Sequence, residues 1–137
     1  MNAAAPATTC IDPDSGCRTL LVLDDCRFHR TLLRRFFTRL GYWVNTTADV
    51  AEAITVMRKV RHDVVVLDFD LPGANGTEVV RALARDAKWP LVIGMCSDGS
   101  DTARAAFKAQ GVDHFFAKPF DPRAMVSTIR DHELSPA

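Results

Sequence analysis

Three carboxylates and one ammonium, distant along the chain, each follow a short apolar run. Asp24-Asp25 comes after Leu20-Leu21-Val22-Leu23, Asp68 after Val64-Val65-Val66-Leu67, and Lys118-Pro119 after Phe115-Phe116-Ala117. Such runs read as strands buried on both faces of a parallel sheet, and the groups that follow them gather at one edge. Collected there, they make a site for a divalent cation and a phosphoryl group. Carboxylates about 5 Å apart repel by roughly 3 kcal/mol per pair at an effective dielectric of ~20, and Lys118 supplies a single counter-charge. An all-oxygen set suits Mg²⁺, which keeps several waters and bridges to phosphate.

The intervening segments must position these groups. Thr19 to Asp24 is the first expected strand. Phe28, Leu32, Leu33, Phe36, Phe37 and Leu40 then recur at helical spacing, and Gly41 closes that helix. Tyr42 to Thr46 is a short strand, and Asp49 caps a helix carrying Val50, Ala53, Ile54 and Met57. Asp63 to Asp68 is the third strand. Leu71-Pro72-Gly73-Ala74-Asn75-Gly76 is a loop, followed by a helix with Val79, Val80, Leu83 and Ala84. Leu91 to Cys96 forms the fourth strand and Asp101 to Gln110 the fourth helix, ended by Gly111. Asp113 to Ala117 is the fifth strand, and Pro122 opens the last helix. Five strands alternating with five helices predict an α/β fold, a doubly wound five-stranded parallel sheet. Right-handed crossovers then put every strand carboxyl end on one side.

Composition narrows the classes. The 137 residues suit one domain, with 47% apolar and 25% charged residues. Net charge is zero and no Lys/Arg block exceeds two residues, so no nucleic-acid footprint is visible. No apolar run approaches a membrane span. Residues 1–17, rich in Ala, Thr and Pro, read as a flexible N-terminal tail, leaving 18–134 as the folded domain. Cys10, Cys17, Cys26 and Cys96 show no metal-ligand spacing, which favours a reduced, cytoplasmic setting. His29, His62, His114 and His132 are scattered and read as surface or satisfied-core residues.

From about Arg18 to Asp131 the sequence resembles the receiver domain of two-component response regulators, with the flavodoxin-like layout of the chemotaxis type. Leu21-Val22-Leu23-Asp24-Asp25 with Arg30, Leu40-Gly41-Tyr42, Val66-Leu67-Asp68 followed by Leu71-Pro72 and Gly76, and Lys118-Pro119-Phe120 carry the resemblance in combination. It implies that Asp68 is the phosphoacceptor, attacking a phosphohistidine to form an acyl phosphate. It also implies that Asp25 and Asp68 hold Mg²⁺ directly, Asp24 through water, and Asp70 by its backbone carbonyl. Lys118 would balance charge on the phosphoryl oxygens, a role that suits a compact ammonium, and a cis Lys118-Pro119 bond would aim it. Phe115 matches the aromatic switch position.

The main departure is Cys96, which stands where the family places a Ser or Thr hydroxyl that binds phosphoryl and drives the switch. A charge-assisted hydroxyl bond contributes about 1.5–3 kcal/mol, and a thiol is a weaker donor. Cys96 therefore couples weakly unless Ser97 takes over, or it is only a small buried hydrophobe. The Asp70 side chain either overhangs the phosphoryl group or points to solvent. Either Phe115 or Phe116 is ordinary core, since alternation turns them to opposite faces.

The resemblance implies a sensor histidine kinase or histidine phosphotransfer protein as partner. A downstream protein would bind the face of the last two helices and fifth strand. The leading expectation is a stand-alone receiver with no nucleic-acid or membrane partner. Alternatives are a degenerate receiver acting as a constitutive docking module, and a haloacid dehalogenase-type phosphatase suggested by Asp68-Phe69-Asp70. A plain helix-capping role for Asp24 and Asp25 would leave Asp68 and Lys118 unexplained.

Overall fold

The computed structural model describes residues 18–71, 77–83 and 90–134. The expected tail over 1–17, Cys10 and Cys17, Pro72 to Gly76 of the loop, and Ala84 lie outside the described residues. Elements alternate along the chain as β1 (Thr19–Leu23), α1 (Arg27–Arg39), β2 (Trp43–Thr47), α2 (Val50–Lys59) and β3 (Val64–Asp68). They continue with α3 (Thr77–Leu83), β4 (Leu91–Cys96), α4 (Asp101–Ala109), β5 (His114–Ala117) and α5 (Pro122–Leu134). The five strands form one parallel sheet in the order β2-β1-β3-β4-β5. The doubly wound α/β architecture expected from the alternation is therefore present, with boundaries within a residue or two.

Strand alternation divides the core between the two faces. Leu21, Leu23, Val65, Leu67 and Val92 pack with Val50 and Ala53 of α2, Val79 and Val80 of α3, and Phe107 of α4. Leu20, Val22, Val64, Val66, Ile93 and Met95 pack with Leu33 and Phe37 of α1 and Met125 and Ile129 of α5. All residues of β1, β3 and β4 are buried, which is why these segments read as unbroken apolar runs. Asp49 caps α2 by accepting from Glu52 N–H, as the sequence implies. Gly41 (φ 93°) and Gly111 (φ 105°) take the left-handed conformation that ends α1 and α4.

Not all of the helically spaced apolar residues of α1 are buried. The six apolar positions of the first helix span roughly half its circumference, wider than the sheet covers. Leu33 and Phe37 are fully buried, whereas Phe28, Leu32 and Leu40 are exposed, Phe28 at 71%. Phe28, in the first turn, thus leaves apolar surface beside the sheet's carboxyl end.

The order of the strands matters for function. Connections leave β1 toward β2 on one side and β3 toward β4 on the other. The carboxyl ends of β1 and β3 therefore flank the crevice where open α/β sheets bind ligands.

Candidate functional site

Asp24, Asp25 and Asp68 converge at that crevice. Each offers a carboxylate oxygen, and these oxygens all lie within 4.8 Å of one another. Asp24 and Asp68 are completely buried while Asp25 faces solvent, giving a bowl with a charged floor and an open rim. Register explains the meeting: Leu23 pairs with Leu67, so the residues after the two strands leave the sheet side by side.

Each acid is held differently. Asp24 accepts from Cys26 N–H (2.8 Å) and lies 2.9 Å from His29 Nδ1, while Arg30 donates to its backbone carbonyl (2.9 Å). Cys26 is the helix N-cap and makes no side-chain cap bond, so Asp24 does not cap α1 by its side chain in the ordinary way. Asp68 Oδ1 accepts from Asp70 N–H (2.8 Å) and from Lys118 Nζ (2.9 Å). Its Oδ2 is buried with no hydrogen-bond partner among the described residues. Burial raises the Asp68 pKa above the usual carboxylate value, with Asp24 adding to the rise, although Lys118 and the Asp70 amide oppose it. Burial lowers the Lys118 pKa, but the bond to Asp68 and its neighbouring acids outweigh this and raise it overall. The pair is thus an ammonium against a carboxylate that retains a bare oxygen.

A buried, unpartnered carboxylate oxygen beside two further carboxylates is costly unless a cation shares the cavity. The residues present therefore fit a small divalent ion with oxygen preference. Asp24, Asp25 and Asp68 would each offer such an ion a carboxylate oxygen.

Of the remaining expected residues, Lys118 is brought into the site, and its bond to Pro119 is cis. Cys96, at the end of β4, is buried and donates its thiol to Asp70 Oδ1 at 3.3 Å. Ser97 contributes its backbone N–H to Asp70 Oδ2 at 2.8 Å. The Asp70 side chain accordingly turns inward rather than to solvent, and its Oδ2 also lies 3.3 Å from Lys118 Nζ. Burial alone would raise the Asp70 pKa, but the thiol, the Ser97 amide and Lys118 together lower it. The Cys96 thiol is pushed up by burial and, further, by Asp70.

Phe115 is partly buried on the α2–α4 face, and Phe116 packs on the opposite face. Both are partly buried and turn to opposite faces, as strand alternation implies. Phe115 stacks on Phe107 (5.5 Å, 17°), which stacks on Phe69 (4.2 Å, 30°), while the Arg104 guanidinium covers the Phe115 ring at 4.8 Å. Gly94 is the floor of this stack, since a Cβ there would stand 2.9 Å from the Phe69 ring.

Two participants escape the sequence reading. His29 belongs to the site through Asp24 and packs edge-on against Phe120 (5.2 Å). Its position in the first turn after the acidic pair was the available signal. Phe69, next to the candidate acceptor, begins the aromatic stack.

The model of the response regulator receiver domain matches residues 20–130. The chain belongs to this family. Receiver domains are signalling modules of two-component systems, and phosphorylation of an aspartate is the family mechanism. Among curated relatives, a transcriptional regulatory protein, TcrA of Mycobacterium tuberculosis, is 35% identical over 116 residues, covering 85% of this chain and 46% of the relative. The DNA-binding response regulator MtrA of the same species is 32% identical over 118 residues, covering 85% and 51%. The chain thus spans about half the length of the curated relatives it matches. Among solved structures, chemotaxis protein CheY4 of Vibrio cholerae is 27% identical with a TM-score of 0.78, covering 85% of this chain and 98% of that one. A receiver protein from Burkholderia phymatum gives 27% and 0.73, covering 83% and 93%. No helix among the described residues is long and apolar enough to cross a membrane.

Proposed function

We propose that this receiver domain accepts a phosphoryl group on Asp68 from a histidine kinase or histidine phosphotransfer protein and signals through protein contacts. The single observation that carries the reading is the buried, unpartnered Asp68 Oδ2, set among two other carboxylates with Lys118 on its companion oxygen. An oxygen with no hydrogen bond keeps its lone pairs for nucleophilic attack or for a metal.

Asp25 and Asp68 would hold Mg²⁺, with Asp24 contributing through water and the Asp70 carbonyl as a further ligand. When bound, that ion supplies positive charge for the transferring phosphoryl oxygens. The chain's own groups do the rest. Lys118 Nζ, 2.9 Å from Asp68, offers a fixed counter-charge beside the acceptor. Cys96 Sγ and the Ser97 N–H stand at the end of β4 as donors to the incoming oxygens. The Cys96 thiol is the weaker donor, so the Ser97 amide carries more of that contact.

The Phe69–Phe107–Phe115 stack supports a readout on the α4–β5–α5 face. There a cleft of about 300 Å³ is lined by Arg104, Lys108, His114 and Phe115. We read this face as the site for a downstream protein, without a nucleic-acid or membrane partner for this domain, in a cytoplasmic setting.

A docking module that never turns over phosphate is the second reading, favoured by the thiol at position 96 and its bond to Asp70. The phosphatase reading has no support beside the family match. Acetyl phosphate with Mg²⁺, followed by intact-mass measurement, separates the readings. Wild type should gain one phosphoryl group and Asp68→Ala none. An unmodified wild type would leave only the docking module.

A further inference from the structure

The donors around the acceptor are already engaged. The Asp70 carboxylate receives the Cys96 thiol (3.3 Å), the Ser97 amide (2.8 Å) and a share of Lys118 (3.3 Å). These three groups come from the ends of two strands, β4 and β5, yet converge on one side chain from the segment after β3. They are also the donors that the proposed function assigns to a phosphoryl group on Asp68, and Lys118 is already bonded to Asp68 at 2.9 Å.

We propose that Asp70 is a resident anion, occupying with its own carboxylate the donor set of the phosphoryl group, and that phosphorylation must evict it. The inference rests on the reading of Asp68 as acceptor and deepens it. A solvent-facing Asp70 would leave these donors free, but its side chain is only 29% exposed. Like charges compete for the same donors, and an acyl phosphate brings more charge and more acceptor oxygens than a carboxylate. The resting state is therefore a bonded arrangement rather than an open one. The end of β4 is tied to the segment after β3 through Asp70, and phosphoryl uptake exchanges that tie for one to Asp68 itself. Asp70 thereby sets the threshold for switching: an anion binds only to the extent that it outcompetes the built-in one.

Amide NMR of the full chain tests this with beryllofluoride as the probe at saturating Mg²⁺, comparing wild type, Asp70→Ala and Asp98→Ala. Asp98 is exposed and its side chain bonds Ser100 N–H, so its variant removes an equal charge nearby while keeping the Asp98 backbone N–H that meets Cys96. In the free protein, Asp70→Ala should shift the Ser97 amide proton upfield, whereas Asp98→Ala should change it little. Asp70→Ala should also tighten beryllofluoride binding about tenfold, within the ~5–150-fold range of ordinary couplings between sites. Asp98→Ala should alter it by less than about twofold. Equal gains in both variants would reduce the effect to general charge and overturn the proposal. Unchanged affinity in Asp70→Ala with normal binding by wild type would overturn it while leaving the acceptor reading intact. Absence of binding in all three proteins would overturn both.

Discussion

The two edges of the sheet use the same residue type in opposite ways. At the amino-terminal edge, Asp63 accepts from Thr19 N–H (2.8 Å) and Thr19 Oγ1 (3.1 Å), with Arg18 at 3.6 Å. Asp113 likewise accepts from Val92 N–H (2.8 Å). Each acid stands just before one strand and ties the start of its neighbour. At the carboxyl-terminal edge, Asp24, Asp25 and Asp68 face one another, and a buried oxygen has no partner among the described residues. Asp24 and Asp68 also accept backbone amides, but crowded with Asp25 they raise the energy of the fold until a cation arrives, whereas the acids at the other edge meet only donors and stabilise it. One edge of the sheet is built to hold, and the other to bind.

Acid should affect the sealed edge most. His62 is buried there, 2.8 Å from Asn45 Oδ1, and burial lowers its pKa to about 4. The folded protein keeps it neutral while the unfolded chain takes up a proton below about 6.5, so stability is lost as pH falls from there toward 4. The loss is on the order of 3 kcal/mol. Urea unfolding at several pH values should show wild type losing that much more than His62→Asn, and parallel curves would remove the contrast. Asp63→Ala should cost about 2 kcal/mol by leaving the Thr19 N–H unmet, since the Thr19 hydroxyl keeps Arg61 O as acceptor, with Mg²⁺ affinity unchanged. A loss of Mg²⁺ affinity there would mean the two edges are coupled. Smallest is Asp68→Asn, expected to stabilise the metal-free protein by roughly 1 kcal/mol, because burial and Asp24 oppose its charge. A destabilised variant would show that Lys118 outweighs that repulsion.

Periodicity explains why the frame could be read from sequence and parts of the site could not. Runs such as Val64 to Leu67 and the spacing around Leu33 and Phe37 report burial directly, so strands, helices and the meeting of Asp24, Asp25, Asp68 and Lys118 follow from topology. The orientation of Asp70 does not. Its donors Cys96 and Ser97 lie 26 and 27 residues away, and no local pattern records which way a side chain after a strand will turn. The same holds for His29 on Asp24, and for the Phe69–Phe107–Phe115 stack, which needs the absence of a Cβ at Gly94. Phe28 and Leu32 mislead for a different reason: helical spacing shows an apolar arc but not how much of it the sheet covers.

The central claim is that the crowded edge is incomplete without a divalent cation. Calorimetric titration of Mg²⁺ into wild type and Asp25→Asn tests it most directly. The account predicts one ion bound per wild-type chain and strongly weakened binding in the variant. A wild type that evolves no heat and shows no Mg²⁺-dependent rise in melting temperature would contradict it.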